Sequence, residues 1–212
     1  MTNATDLIFQ IIILVMSIVI HEVSHGAMAY GLGDKTAKYN GRLTLNPIPH
    51  LDPFGSILLP FLLVITGSPY LIGWAKPVPY NPYNLRNQKW GPALVGFAGP
   101  LSNLLIAIFF GLFIRATNLG AFGFIPHPTL LALGNFAVNI ALINISLAVF
   151  NLVPIPPLDG SKVLAAIVPY RWADALLRLE SMGWIVLIVF IFFFSWIINP
   201  ISTAIFRLIT GI

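Results

Sequence analysis

Cysteine is absent from the sequence, and charged residues are rare in it. Without cysteine the protein can form neither a disulfide nor a thiolate metal site, so His, Asp and Glu remain as candidate metal ligands. Charged residues make up 8% of the chain, compared with about 25% in an average soluble domain. Hydrophobic residues make up 58% of its 212 residues, more apolar surface than a soluble core of this size can bury. The composition therefore predicts a polytopic α-helical membrane protein.

A basic patch is also missing. The net charge is +4, and the Lys and Arg residues lie in loops between apolar runs rather than on one surface. We therefore expect the protein to lie in the lipid bilayer and to bind no nucleic acid. The N-terminus has neither the basic residues nor the small-residue cleavage pattern of a secretory signal, so we expect the apolar stretch that starts at Leu7 to be retained as a span.

Long apolar runs organise the chain. Four of them have the length and composition of membrane helices, or nearly so, and lie at about 7–30, 92–114, 130–152 and 184–198. We expect the last run to end at Asn199-Pro200. Together with a fifth, interrupted run, they predict about 4–6 membrane segments in one domain over 1–212, with a core at about 7–165 and a C-terminal membrane segment at about 184–212.

The run 54–73 is interrupted by Pro60, Gly67, Pro69 and Gly73. Three stretches, 34–52, 74–90 and 160–183, each contain three basic residues. If the run crosses the membrane, the stretches beside it lie on opposite sides; if it enters and returns, all three lie on one side, which the positive-inside rule makes cytoplasmic. We prefer the re-entrant arrangement, because broken backbone is tolerated at membrane depth where protein surrounds it. The prolines between 40 and 90 also predict a small short-strand element.

The sequence "HEVSH" lies inside the first apolar run. On a helix, His21 and His25 are one turn apart on one face and can bind the same metal ion, and Glu22 on the next face can reach a water on that ion. This is the H-E-x-x-H arrangement in which zinc lowers the pKa of water and the Glu accepts the proton. An ionisable group in a span costs at least about 2.5 kcal/mol, which makes a functional role the default interpretation.

A catalytic zinc site usually has three protein ligands, so one more is needed. The candidates are Asp6, Asp34, Asp52, Asp159, Asp174, Glu180, His50 and His127. Asp159 stands out because the three prolines of "NLVPIPPLDG" force an extended backbone directly after the run 130–152. Gly160 then allows a close backbone approach, and an unwound helix end that presents one carboxylate is a common design for a buried site.

Three motifs in this order, "HEVSH", "GFAGPLSN" and "NLVPIPPLDG", resemble those of the intramembrane site-2 protease family. The resemblance covers about half of the chain and implies a minimal form without a regulatory domain. It implies one Zn2+ per chain with His21, His25 and Asp159 as ligands, Glu22 as general base and Asn151 as an oxyanion-stabilising or substrate-orienting amide. It also implies that a group in the third segment, Gly99, Pro100 and Asn103, lies where that segment packs on the catalytic helix.

The resemblance further implies hydrolysis of peptide bonds in or near transmembrane segments of other proteins. An extended edge at 73–80, "GWAKPVPY", would hold the unwound substrate by strand addition. The alternative function is a membrane transporter or channel for a metal ion or proton, which would show repeated halves and polar residues along a pathway. A single cluster without an internal repeat favours the protease, and an intact Glu22 argues against an inactive relative.

The depth of the site and two further histidines complete the expectations. The motif begins about 14 residues into a span that needs about 20, which leaves the zinc roughly 10 Å from the cytoplasmic face of the cell membrane. His50 and Asp52 either approach the metal as gating ligands or, as we prefer, are turn residues, because Asp-Pro-x-Gly favours a turn. His127, between two prolines, is predicted to lie in a loop.

Overall fold

A computed structural model describes residues 4–58, 62, 65 and 74–212, and these residues form helices and irregular connections without a strand. The helices are α1 (Ala4–Gly31), α2 (Thr36–Tyr39), α3 (Gly91–Asn118), α4 (His127–Asn151), α5 (Asp159–Ile167), α6 (Tyr170–Glu180), α7 (Gly183–Phe194) and α8 (Ile198–Thr210). Short 3-10 or π turns form at Ile48–His50, Pro53–Leu58, Pro82–Asn84 and Ser195–Ile197. The all-helical architecture confirms the predicted fold class.

Within the described ranges, three helices are long and apolar enough to cross a membrane: α1 over Ile8–Gly31, α3 and α4. A fourth span is possible if α6 and α7 count as one, although they are bent by 90° at the break between them. Most of the run 54–73 lies outside the described residues. Its re-entrant path therefore stays a prediction. The candidate spans among the described residues number three, or four when the bent pair is counted, and four is the lower end of the predicted range.

Two predicted boundaries differ from the structure, and one predicted element is absent from the described residues. The last apolar run does not end at Asn199-Pro200; those residues open α8, because proline is tolerated in the first turn of a helix. His127 is not a loop residue but the first residue of α4. Residues 74–81 form neither a helix nor a strand. Pro77 and Pro79 favour extended backbone at the residues before them, but they lack the N–H groups that a ladder requires.

Helix α3 lies at the centre, with contacts to α1, α4, α5 and α8. Its buried face carries small residues, which let helix backbones approach closely in a membrane. At Gly111, for example, an added Cβ would lie 2.5 Å from the Cγ2 of Ile209 on α8. Large apolar side chains such as Phe109 and Leu131 are exposed on the outside. That distribution is expected of a protein whose surroundings are lipid.

Candidate metal centre

Helix α1 places the two motif histidines side by side. His21 and His25 are one turn apart on the same face, and their side chains are 7% and 9% exposed. Their Nε2 atoms are 3.0 Å apart, and the ring planes are nearly perpendicular. Two imidazole nitrogens that face each other at this distance in a buried position are the first two corners of a possible metal site.

Asp159 supplies the third corner. It is the first residue of α5, and its Oδ2 lies 3.1 Å from the Nε2 of His21 and 3.1 Å from the Nε2 of His25. The three atoms therefore form a nearly equilateral triangle. Two donors of a tetrahedral zinc site are about 3.3 Å apart when each lies at the usual zinc distance. The triangle has the size and the nitrogen and oxygen chemistry that zinc requires.

The connection between α4 and α5 explains how Asp159 reaches the histidines. After α4 ends at Asn151, the chain turns through residues 152–158 before α5 begins. Gly160 packs so tightly against the Leu152 carbonyl that an added Cβ would collide with it. On the other side, the Asp159 carbonyl lies 3.1 Å from where a Cβ of Gly96 would be. Glycines on both sides thus allow α5 to enter the space beside α3.

Because Gly99 on α3 has no side chain, the space in front of the two histidines is open. A Cβ added there would lie 2.5 Å from the Nε2 of His25 and 2.6 Å from the Nε2 of His21. A methyl group would therefore occupy the position that a metal ion bound to both nitrogens needs. The absence of a side chain at Gly99, together with the donor triangle, indicates that these residues fit a bound zinc ion.

Each of the three candidate ligands has a hydrogen-bond partner on its far side. The Nδ1–H of His21 donates to the Oδ1 of Asn103 at 2.6 Å, and the Nδ1–H of His25 donates to the Val95 carbonyl at 2.6 Å. Because both acceptors bind Nδ1–H, the two Nε2 atoms keep the lone pairs that a metal needs. The Nζ of Lys162 lies 3.1 Å from the Oδ1 of Asp159, which leaves Oδ2 facing the histidines.

Glu22 lies beside the triangle. Its carboxylate and the ring nitrogens of His21 and His25 offer ligand atoms within 4.8 Å of one another. Its Oε2 accepts a hydrogen bond of 2.8 Å from the backbone N–H of Val78, in the extended segment 74–81. Glu22 is thus adjacent to the possible metal position and is oriented by this segment.

Asp34 holds the same extended segment in place from the end of α1. Its Oδ2 accepts from the backbone N–H of Asn81 at 2.7 Å, and its Oδ1 accepts from Thr36 and from the Asn84 side chain. Burial raises the pKa of the Asp34 carboxyl, but the hydrogen bonds from Thr36, Asn84 and Asn81 outweigh it and hold this pKa below its usual value. The carboxylate therefore fixes the end of the segment that contacts Glu22.

Asn151 is placed differently from the other predicted site residues. The Nδ2 of Asn151 donates to the Leu147 carbonyl of its own helix at 2.9 Å. Among the described residues, its hydrogen-bond partners do not include the two histidines, Glu22 or Asp159. Its role at an oxyanion stays a prediction.

The loop between α2 and the run 54–73 resolves the two interpretations of His50 and Asp52. The Oδ1 of Asp52 accepts from the backbone N–H groups of Phe54 and Gly55, which is the turn chemistry that we preferred. His50 is 1% exposed, and its Nε2–H donates to the Thr44 carbonyl at 3.0 Å. Among the described residues, the hydrogen bonds of His50 and Asp52 are not with the donor triangle.

Several residues at the site were not identified from the sequence. Lys162 follows Asp159 by three positions on α5, a spacing that places both on one face and was the available signal. Asn144 had no such signal, because it reaches Asn103 on another helix, at 2.8 Å. Arg42 donates to the Lys76 carbonyl at 2.6 Å and so supports the extended segment from behind.

Comparison with known proteins adds an independent observation. Residues 129–194, which include Asn151 and Asp159, match the model of peptidase family M50. The chain is 40% identical over 186 residues to YwhC of Bacillus subtilis, whose name assigns it to the zinc metalloproteases; the match covers 85% of this chain and 78% of YwhC.

Two mycobacterial proteins, both called Rip2 and also named as zinc metalloproteases, match less closely. The Rip2 of Mycolicibacterium smegmatis is 27% identical over 174 residues, and the match covers 82% of this chain and 62% of the relative. The Rip2 of Mycobacterium tuberculosis is 33% identical over 149 residues, and the match covers 70% of this chain and 53% of the relative. The chain therefore spans between half and two thirds of the Rip2 proteins. No solved structure matches it.

Proposed function

The chain belongs to peptidase family M50, the site-2 protease family of zinc metalloproteases, and from this membership we propose that it hydrolyses peptide bonds in or near transmembrane segments of other membrane proteins. The membership confirms the resemblance inferred from the three motifs. The observation that carries the proposal is the donor triangle of His21, His25 and Asp159, with Glu22 beside it, built on helices of membrane-spanning length.

Zinc is the cofactor that we propose for this triangle, with one ion per chain held by His21, His25 and Asp159. When bound, zinc supplies a Lewis acid that makes water a nucleophile near neutral pH and polarises the scissile carbonyl. The hydrogen bonds from the two Nδ1–H groups and from Lys162 hold the ligands in the required orientation before the ion arrives. Little rearrangement is then needed on binding.

Glu22 is the general base in this proposal. Its Oε2 is occupied by the Val78 N–H, so the other carboxylate oxygen is the one directed to water. That oxygen accepts the proton of the attacking water and later gives it to the leaving amine. The Val78 hydrogen bond keeps the carboxylate in a fixed orientation throughout.

The segment 74–81 is the proposed holding site for an unwound substrate. Its even-numbered residues face the protein: Lys76 donates its N–H to the His50 carbonyl at 2.9 Å, and Val78 donates to Glu22. In an extended chain the odd-numbered residues then face the opposite edge. Pro77 and Pro79 have no N–H, so Ala75 is the residue of this edge that can both donate to a substrate strand and accept from it.

The membrane side of the site is also part of the proposal. The metal ligands of α1 lie in the second half of its candidate span, Ile8–Gly31. The basic stretches follow that end of the helix, and basic loops are retained in the cytoplasm. The enzyme is therefore proposed to be an integral protein of the cell membrane that cleaves near the cytoplasmic side, with transmembrane proteins as its substrates.

The test compares the purified wild type with Glu22→Gln and Asp159→Ala, measuring bound zinc and the cleavage of a transmembrane reporter in liposomes. Glu22→Gln is expected to retain zinc and to lose about 10²- to 10⁴-fold in cleavage rate, because it removes the base alone. Asp159→Ala is expected to lose zinc and activity together. Glu180→Gln and Asp174→Ala make the same chemical changes on α6 and serve as controls.

Two results would contradict the proposal. Cleavage by Glu22→Gln at the wild-type rate would remove the mechanism, and full zinc occupancy in Asp159→Ala would remove this residue as a ligand. Zinc or proton uptake into liposomes that is lost in the same variants, without any cleavage by the wild type, would support the transporter alternative instead.

A further inference from the structure

A buried polar network lies directly behind His21, at the contact of α1, α3 and α4. Its members are Ser17, Asn103 and Asn144, and their exposed fractions are 4%, 0% and 0%. Buried amides are costly unless their hydrogen-bonding groups are satisfied. Each of these side chains finds partners within the network, so its cost is offset by a defined arrangement of donors and acceptors.

The orientation of the network is fixed at its far end by a backbone carbonyl. The Nδ2 of Asn144 donates to the Ile140 carbonyl at 2.9 Å and to the Oγ of Ser17 at 2.9 Å. Because a carbonyl oxygen can only accept, the NH₂ group of Asn144 must face Ile140 and its Oδ1 must face α3. The side-chain amide of Asn144 therefore has one allowed direction.

The orientation of the Asn144 amide determines that of the Asn103 amide, which in turn determines the tautomer of His21. The Nδ2 of Asn103 donates to the Oδ1 of Asn144 at 2.8 Å and, more weakly, to the Ser17 carbonyl at 3.3 Å. The Oδ1 of Asn103 consequently faces His21 and can only accept, at 2.6 Å from Nδ1. The proton of the neutral ring must then be on Nδ1, and the lone pair must be on Nε2.

We propose that Asn103 and Asn144 are positioning residues that set the tautomer and ring orientation of His21 for metal binding. The inference rests on the proposed function, since it concerns a ligand of the proposed zinc site. His25 obtains the same tautomer from the Val95 carbonyl, which is part of the backbone. The tautomer of His21, by contrast, depends on side chains. Substitution of those side chains can therefore test their role.

A neutral amide suits this place better than a carboxylate. A carboxylate is the common outer partner of a metal-bound histidine, but a second negative charge beside Asp159 in a membrane helix would be expensive. An amide oxygen accepts the same hydrogen bond without a charge. A carboxylate offers an acceptor oxygen to His21 in either orientation of the group, whereas an amide does so in only one. The hydrogen bond to Asn144 sets that orientation of Asn103.

The experiment measures zinc affinity by competition with a chelator in detergent-purified Asn103→Leu, Asn103→Asp and Asn144→Leu. Asn103→Leu removes the acceptor, and we expect its zinc affinity to fall about 10- to 100-fold. Asn103→Asp keeps an acceptor for Nδ1–H and is expected to retain most of the affinity. Asn144→Leu releases the amide of Asn103 and is expected to lie between them.

Asn139→Leu is the matched control for Asn144→Leu. Asn139 is also on α4, and its Nδ2 also donates to a carbonyl one turn earlier, at 2.9 Å, but the residue is half-buried and this hydrogen bond is exposed. Its substitution is expected to leave zinc affinity unchanged. A second measurement needs no metal: nitrogen NMR of protein labelled at histidine should show His21 protonated on Nδ1 in the wild type and a mixture of tautomers in Asn103→Leu.

The outcomes separate this inference from the proposed function. Wild-type zinc affinity in folded Asn103→Leu would overturn it, and so would an Asn103→Asp variant that binds as weakly as Asn103→Leu. If Asn103→Leu does not fold, the tautomer and affinity of Asn103→Asp and Asn144→Leu decide in the same way. A wild type that binds no zinc would overturn both proposals, whereas a zinc-bound, fully active Glu22→Gln would overturn the catalytic mechanism alone.

Discussion

At the scale of single residues, Gly99 makes the sharpest prediction. Gly99→Ala places a methyl group 2.5–2.6 Å from the Nε2 atoms of both histidines. Such overpacking costs about 1–3 kcal/mol, equivalent to about a 5- to 150-fold loss of zinc affinity. Chelator competition measures the loss.

The control for Gly99→Ala is Gly134→Ala on α4, where an added Cβ meets nothing within 4 Å. That substitution is expected to keep zinc affinity and to stabilise the helix by about 0.5–1 kcal/mol, because alanine is the better helix former. Equal zinc affinity in Gly99→Ala and the wild type would mean that the ion does not occupy the space in front of this glycine.

Residue type and spacing could identify one part of the site and not the other. His21, Glu22 and His25 lie on neighbouring faces of one helix, so their proximity follows from helix geometry alone. Asp159 needed the proline-rich motif and the family resemblance, because no local rule joins it to α1. Asn144 could not be found from the sequence, since its role depends on which face of α4 packs against α3.

At the scale of elements, the segment 74–81 yields a prediction about substrate binding. Ala75→Pro removes the outward N–H of the proposed substrate edge and is expected to raise KM about fivefold, the worth of one hydrogen bond. Bound zinc should not change. Cleavage kinetics of a transmembrane reporter provide the measurement, and Ala75→Ser, which keeps the N–H, is the control.

The structure also shows which neighbouring position is unsuitable for that test. The N–H of Trp74 donates inward to the Gly55 carbonyl at 3.2 Å, so a proline there would damage the fold of the loop. The sequence indicated an extended segment rich in proline but not which edge faced outward. An unchanged KM in Ala75→Pro would place the substrate elsewhere.

The elements themselves were predictable to different degrees. The runs 7–30, 92–114 and 130–152 correspond to α1, α3 and α4, because long apolar runs leave helix as the main solution in a membrane. Helices α6 and α8 were not predicted as separate elements, although the predicted C-terminal membrane segment, 184–212, includes α8. They are amphipathic rather than wholly apolar, and α8 continues past a proline that had been interpreted as a stop.

At the scale of the whole molecule, the order of helices makes a prediction about sides. If the end of α1 is cytoplasmic and the run 54–73 returns to the same side, as we predict, then α3 leads away from the cytoplasm and α4 returns to it. Since the natural chain has no cysteine, single cysteines can be introduced without a background. Lys38→Cys and Arg178→Cys should react with a membrane-impermeant maleimide from the cytoplasmic side, and Ala121→Cys from the other side.

The unsubstituted chain is the control for that labelling, because it has no thiol to react. The reverse pattern would place the site near the opposite face of the membrane and overturn the positive-inside argument. Labelling of Lys38→Cys and Arg178→Cys from different sides would show that the part of the chain between them crosses the membrane an odd number of times.

The wide separation of the ligands along the chain also affects how the protein is made. His21 and Asp159 are 138 positions apart, with α3 and α4 between them. While a ribosome is still synthesising α4, the membrane already holds both histidines and the proposed general base, Glu22, but not the carboxylate that completes the proposed ligand set. With this ligand set the nascent chain has no complete metal site until α5 has been translated, and we expect proteolytic activity to begin only then.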